Sequence, residues 1–106
     1  MNDLQPEKMY ESVGAASTLL QAMANRNRLM ILCHLVGCEL SVTALMEKIG
    51  MNQSALSQQL AKLRATSLVA TRRDGQQIFY RLASPEVERI LGLLYELYCA
   101  EPADNS

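Results

Sequence analysis

The stretch Met51–Arg81, MNQSALSQQLAKLRATSLVATRRDGQQIFYR, constrains this chain more than any other. Leu56, Leu60 and Leu63 recur at i, i+4 and i+7, the spacing of one helical face. On a wheel of about 100° per residue, Ser54, Ser57, Gln58 and Lys62 fall around the rest of that helix. Two β-rich runs follow, LVATRR and QQIFYRL, joined through Asp74-Gly75. Asp-Gly in that place predicts a hairpin with a type I′ turn, which needs φ > 0 at both central residues. Upstream, Ser41 reads as the N-cap of a short helix, Val42 to Ile49, with Leu45 and Ile49 inward. Gly50 then supplies the turn into the next helix, and two short helices joined in this way make a helix-turn-helix. From Ser41 to Arg81 the chain reads as a helix-turn-helix with a basic hairpin attached.

The rest of the chain supplies helices to cover it. Residues 1–7 read as a flexible N-terminal tail, 8–99 as one domain, and 100–106 as a flexible C-terminal tail. Met9, Val13, Ala16, Leu20 and Met23 predict a first helix from Lys8 to Met23. Asn25 ends it or caps the next, Arg26 to Val36, whose apolar side holds Leu29, Leu32, Cys33 and Val36, with Gly37 as a stop. Ser84-Pro85-Glu86 is a helix start in three signals: a capping hydroxyl, a proline suited to the first position, and an acid at the positive end of the dipole. This last helix runs to about Cys99 and is apolar at Val87, Ile90, Leu91, Leu94, Leu97 and Tyr98. Such a stripe is too wide for one face of a terminal helix in a 106-residue chain. The expected architecture is mainly α with a β-hairpin wing (α+β), a winged helix-turn-helix that forms a homodimer through its first and last helices. Val13, Leu20, Leu91, Leu94 and Tyr98 are the candidates for the dimer surface; packing within one subunit is the alternative.

Charge is distributed to match. The net charge is −1, yet residues 53–81 carry Lys62, Arg64, Arg72, Arg73 and Arg81 against Asp74 alone. Residues 82–106 carry Arg89 against five acids. A basic segment in an otherwise acidic chain has the form of a local phosphate footprint, although a run of cations can also be plain solvated surface. The glycine turn before the helix and the arginine-tipped hairpin after it favour double-stranded DNA as partner. Gln53, Ser54, Ser57, Gln58, Lys62 and Arg64 would face the groove, where Gln can pair with adenine and Lys or Arg with guanine or phosphate. Arg72, Arg73 and Gln76 would contact the backbone or an adjacent minor groove. A twofold dimer would set two such helices about one turn apart on a pseudo-palindromic operator.

Other chemistries find little support. The N-terminus MNDLQPEKMYESV lacks a cationic region leading into an apolar one, and Leu29–Cys38 is too short to span a bilayer, so the expected location is cytoplasmic, without membrane contact. His34 is the single histidine, and no Cys-x-Cys, His-x-x-His or Asp-x-His spacing occurs, so neither a metal nor a cofactor is expected. Cys33, Cys38 and Cys99 in a reducing compartment form no disulfide framework; each suits simple packing or a transient, sensory bridge. If the last helix folds back along the second, Cys33 and Cys99 could approach. A thiol enzyme built on Cys33 would need an adjacent base, and only His34 is local. A protein-interaction module without DNA binding is the further alternative, and it predicts no salt-dependent binding to DNA.

The segment from Ala22 to Leu82, with its ELSV, SALSQQL and IFYRL patterns, resembles the ArsR/SmtB winged-helix repressors almost without gaps. The resemblance implies a dimer that occupies an operator and lets go when an inducer binds. Where the arsenic and cadmium sensors of the family carry Cys-Val-Cys, this chain has Ser41-Val42-Thr43, and its last helix lacks the Asp/His and His/Glu pairs of the zinc sensors. It looks instead like the subgroup of biofilm growth-associated and sulfide-responsive repressors. Those place one cysteine in a context like LMILC and one in a context like LYC, here Cys33 and Cys99. Cys38 has no counterpart. The subgroup implies sensing of persulfides and other reactive sulfur species by a di- or polysulfide bridge between these two, with peroxide able to form a plain disulfide. A virulence-type regulator that displaces a nucleoid silencer fits the same resemblance.

Overall fold

Side-chain caps set four of the helix starts. Asn25, Ser41, Asn52 and Ser84 each accept a hydrogen bond from the amide three residues on, at Arg28, Ala44, Ala55 and Val87. The computed structural model describes residues 4–99. Its elements are α1 (Pro6–Tyr10), α2 (Val13–Met23), α3 (Arg26–His34), β1 (Leu40–Ser41), α4 (Val42–Ile49), α5 (Gln53–Ala65), β2 (Val69–Asp74), β3 (Gln77–Leu82) and α6 (Pro85–Tyr98). The expected C-terminal tail, 100–106, and residues 1–3 of the expected N-terminal one lie outside the described residues.

Several boundaries differ from expectation. The first helix begins at Pro6 and is divided at Glu11–Ser12. Ser12, Val13 and Gly14 are all weak helix formers, and the break falls where they cluster. The next helix ends at His34 rather than Val36, and its last turn tightens through Leu35 N–H to Leu32 carbonyl and Val36 N–H to Cys33 carbonyl bonds before Gly37 at φ 76°. Leu35 therefore takes the buried position and Val36 is left exposed. Gly50, at φ 82°, caps α4 in the left-handed conformation that L-residues disfavour.

The hairpin forms, with a different turn. Asp74 pairs with Gln77, which makes Gly75 and Gln76 the central residues. Only Gly75, at φ 64°, has positive φ, which is the pattern of a type II′ rather than a type I′ turn. A third strand, β1, was not evident in the sequence because it is two residues long; it pairs antiparallel with β3, giving the order β1-β3-β2. The core is Leu-rich: Ile31, Leu32, Leu35, Leu45, Leu56, Leu60, Leu63 and Val87 are all but inaccessible to water, and no polar side chain is buried among them. The spine Leu56, Leu60, Leu63 thus seats α5 on α3 and α4, and leaves its other surface free.

Candidate nucleic-acid interface

On α5, Gln53, Ser54, Ser57, Gln58, Lys62 and Arg64 are all exposed, as expected for a reading surface. The helical wheel divides them further. Ser54 and Gln58 point directly away from the leucine spine. Gln53, Ser57 and Arg64 lie on the flank toward the sheet, where Ser57 and Arg64 share a hollow with Tyr80. Lys62 lies on the opposite flank, beside Gln21, Ala22 and Arg28. At the start of the helix, Gln53 lines one hollow with Gln76 and Gln77 of the hairpin tip and Thr43 of α4. The N-terminal end of α5 and the wing tip therefore border one hollow, polar at Thr43, Gln53, Gln76 and Gln77 and floored by Val42, Met46 and Ile78.

The two wing arginines are not equivalent. Side chains alternate across a sheet, so the register puts Thr71, Arg73, Ile78 and Tyr80 on the face toward the helices, and Arg72, Asp74, Phe79 and Arg81 on the other. Arg72 is engaged there. Its Nε donates to Glu39 Oε1 at 2.7 Å, its guanidinium lies 4.7 Å from the Phe79 ring centroid, and its Nη1 is 3.9 Å from Asp74 Oδ2. Arg81 Nη1 also approaches Glu39, at 3.9 Å. Arg72, expected at DNA, thus already has a carboxylate and an aromatic face as partners, with its side chain still half-exposed. Lys62, Arg64 and Arg73 make no ion pair among the described residues. Glu39 lies upstream of the basic segment in sequence, and nothing local marks it as the partner of a cation 33 residues on.

A second missed residue is Arg28. It donates to the Ala22 and Gln21 carbonyls at the end of α2 and to Gln59 Oε1 of α5.

Cys33 and Cys99 come from α3 and from the C-cap of α6, and both are exposed in the single chain. Cys33 was expected on the inward side; Ile31 and Leu32 occupy that side instead. Enough protein surrounds its sulfur to raise the thiol above its ordinary value of 9.0, with partial desolvation as the main cause and the charge of the Cys99 thiolate adding to it. Cys38 is also exposed and donates to the His34 carbonyl at 3.3 Å. Among the described residues no three His, Cys, Asp or Glu side chains are grouped to hold a metal, and no helix is long and apolar enough to cross a membrane.

Of the residues expected at a dimer surface, Val13, Leu20 and Tyr98 are exposed, Tyr98 by 81%. Leu94 is half-buried. Leu91 is a correction: it is only 6% exposed and belongs to the subunit's own core. Leu93, Tyr95 and Leu97 add to the exposed apolar area on α6, and Met9 and Tyr10 of α1 are exposed as well.

The family described as "Bacterial regulatory protein, arsR family" matches residues 25–71. Nodulation protein NolR of Rhizobium meliloti is 52% identical over 98 residues, which is 92% of this chain and 80% of that protein. Transcriptional activator HlyU of Vibrio cholerae is 48% identical over 93 residues, 88% of this chain and 86% of that protein, and its reduced structure superposes with a TM-score of 0.84 over 89% of this chain and 99% of that one. The crystal structure of the transcriptional repressor BigR from Xylella fastidiosa gives a TM-score of 0.87 at 39% identity, covering 92% of this chain and 100% of that chain.

Proposed function

Since the chain belongs to the arsR family of bacterial transcriptional regulators, we propose that it is a homodimeric repressor that releases its operator when Cys33 and Cys99 are bridged in response to persulfides. The observation that carries this reading is that α3 and the C-cap of α6 each present a free, exposed cysteine, Cys33 and Cys99, with Cys99 among the causes that raise the Cys33 thiol. α6 also bears exposed Leu97 and Tyr98, which a second copy would cover together with Val13 and Leu20 of α2. A bridge between the thiols would tie the DNA-seating half of the subunit to its dimer half.

The chemistry balances without a cofactor. One cysteine thiolate attacks the sulfane sulfur of a persulfide, forms a protein persulfide and expels the carrier thiolate. The second thiolate attacks the protein-bound sulfur of that group, closes the disulfide and expels hydrosulfide. Two protein thiols are oxidised and the sulfane sulfur is reduced to sulfide. A second persulfide equivalent that converts both cysteines before closure gives the trisulfide: one protein persulfide attacks the protein-bound sulfur of the other and expels hydrosulfide. A coupling of about 1–3 kcal/mol between bridge and DNA would suffice for release.

On the DNA side, Ser54 and Gln58 face the base edges, Lys62 and Arg64 flank them, and Arg73 with Gln76 reaches the neighbouring backbone. Two such surfaces on a twofold dimer suit a pseudo-palindrome. Cys33→Ser and Cys99→Ser should each bind operator as the wild type does and fail to let go when an organic persulfide is added. Release persisting in both variants would sink the proposal.

A second reading, in which the protein activates transcription by displacing a nucleoid silencer, is favoured by the relative described as a transcriptional activator. Footprinting separates the two: repression needs a site overlapping a promoter, and anti-silencing needs one within the silencer's upstream tract.

A further inference from the structure

The leucine spine holds α5 by buried area, which is non-directional and does not fix the rotation or slide of a helix. Among the described residues, one side-chain hydrogen bond ties α5 to another helix, from Arg28 Nη1 to Gln59 Oε1 at 3.1 Å. The same guanidinium donates from Nε to the Ala22 carbonyl at 2.6 Å and from Nη2 to the Gln21 carbonyl at 3.2 Å. Those carbonyls sit in the last turn of α2, where the negative end of the helix dipole favours a cation; the Gln21 carbonyl also accepts from the Ala24 amide. A planar fork with fixed donor directions thus meets α2 and α5 at once, and its stem belongs to α3. Cys33 is on that same helix, five residues or about 7.5 Å of helical rise away.

We propose that Arg28 is a positioning residue that makes the reading helix follow α2 and α3, so that movement of the Cys33-bearing helix reaches the DNA-facing surface through Gln59. Its input rests on the thiol-bridge reading; its output, the seating of α5, does not. α3 is short and rigid, and a guanidinium cannot keep three acceptors if the helices it joins shift separately. A bridge that pulls on the Cys33 end of α3 must then either carry α5 along or break the bond to Gln59. In both cases the spacing or tilt of the two reading helices in the dimer changes without any contact to DNA being altered directly.

The test uses full-length Gln59→Met, which keeps side-chain length and loses the acceptor, and Gln59→Glu, which keeps an acceptor oxygen. Binding is measured to a duplex enriched from a randomised pool by the reduced wild-type protein, and to a scrambled duplex of equal length. With the thermal midpoint and salt slope held, reduced Q59M should lose about tenfold in discrimination between the two duplexes, and Q59E should stay within about threefold of wild type. Treatment with an organic persulfide should weaken operator binding by about tenfold or more in wild type and Q59E, and by less than about threefold in Q59M. Reduced Q59M that discriminates as well as wild type overturns the positioning role, as does Q59E behaving like Q59M. Wild-type protein that keeps its affinity when bridged overturns the thiol reading instead, and Arg28 is then decided by the reduced proteins alone.

Discussion

Arg72 and Arg73 are neighbours in sequence with opposite fates in the sheet, and replacing each by alanine should give different salt dependences. Each phosphate neutralised by a protein cation steepens log K against log salt by about 0.9. Arg73 is on the helix-facing side of the hairpin tip with no ion pair among the described residues. Arg73→Ala should therefore flatten the slope by about 0.9 per subunit, or about 1.8 for a dimer, equivalent to about tenfold in relative affinity between 50 and 200 mM salt. Arg72 already spends its charge on Glu39 at 2.7 Å and its flat face on Phe79. Arg72→Ala should leave the slope nearly unchanged and act on stability. The ion pair is half-exposed and worth at most about 1 kcal/mol, with the stacking about 0.5–1 more. Glu39→Gln, which frees Arg72 without removing it, should steepen the slope by up to about 1.8 per dimer. Fluorescence anisotropy at five salt concentrations, with thermal melts alongside, reads all three. Equal flattening by Arg72→Ala and Arg73→Ala would show that the ion pair to Glu39 does not survive on DNA and would refute the distinction.

Other expectations follow from single residues. Because the Cys33 thiol lies above 9.0 and the thiolate is the nucleophile, bridge closure by Cys33 should accelerate with pH through the range 7 to 9 without levelling, as stopped-flow mixing with a persulfide would show. Cys99→Ser removes one cause of that elevation and should lower the Cys33 value, read from thiolate absorbance during a pH titration. Ser67 stands at φ 63° at the end of α5 without being glycine, and Ser67→Gly should stabilise the fold by about 0.5–1 kcal/mol, seen as a higher melting temperature. Leu60→Ala, at a site 1% exposed, should cost about 2–5 kcal/mol in urea unfolding and reduce operator binding only as far as it reduces the folded fraction.

Much of this fold is legible because its rules are local. The caps at Ser41 and Ser84, the i, i+4, i+7 spine of α5 and the break at Gly50 each depend on a few adjacent residues, and each forms as read. The turn lies one position beyond the one Asp-Gly predicts, because Asp-Gly and Gly-Gln both suit hairpins and only the pairing of Asp74 with Gln77 decides between them. The engagement of Arg72 by Glu39 and of Gln59 by Arg28 spans 33 and 31 residues, and no periodicity carries such information. Cys33 was placed inward for a related reason. A helix of mixed Leu, Met, Ile and Cys shows no clear polar side, so the inward direction is set by what α4 and α5 present to it. The exposed polar residues of α5 are legible in the sequence because the leucines opposite them define where the surface must be.

The strand order has a practical bearing on how this protein can be handled. β2 is an outer strand, six residues long, with one row of backbone amides and carbonyls left open. Open edges of that length recruit one another into extended sheets, and natural proteins discourage this with charge. Thr71-Arg72-Arg73-Asp74 places three charged residues along this edge. Arg72 and Arg73 then also guard this edge against self-association. A variant stripped of both arginines in order to abolish DNA binding would present ATAAD on a free strand, and its solution behaviour, followed by light scattering over hours, would have to be separated from any loss of function.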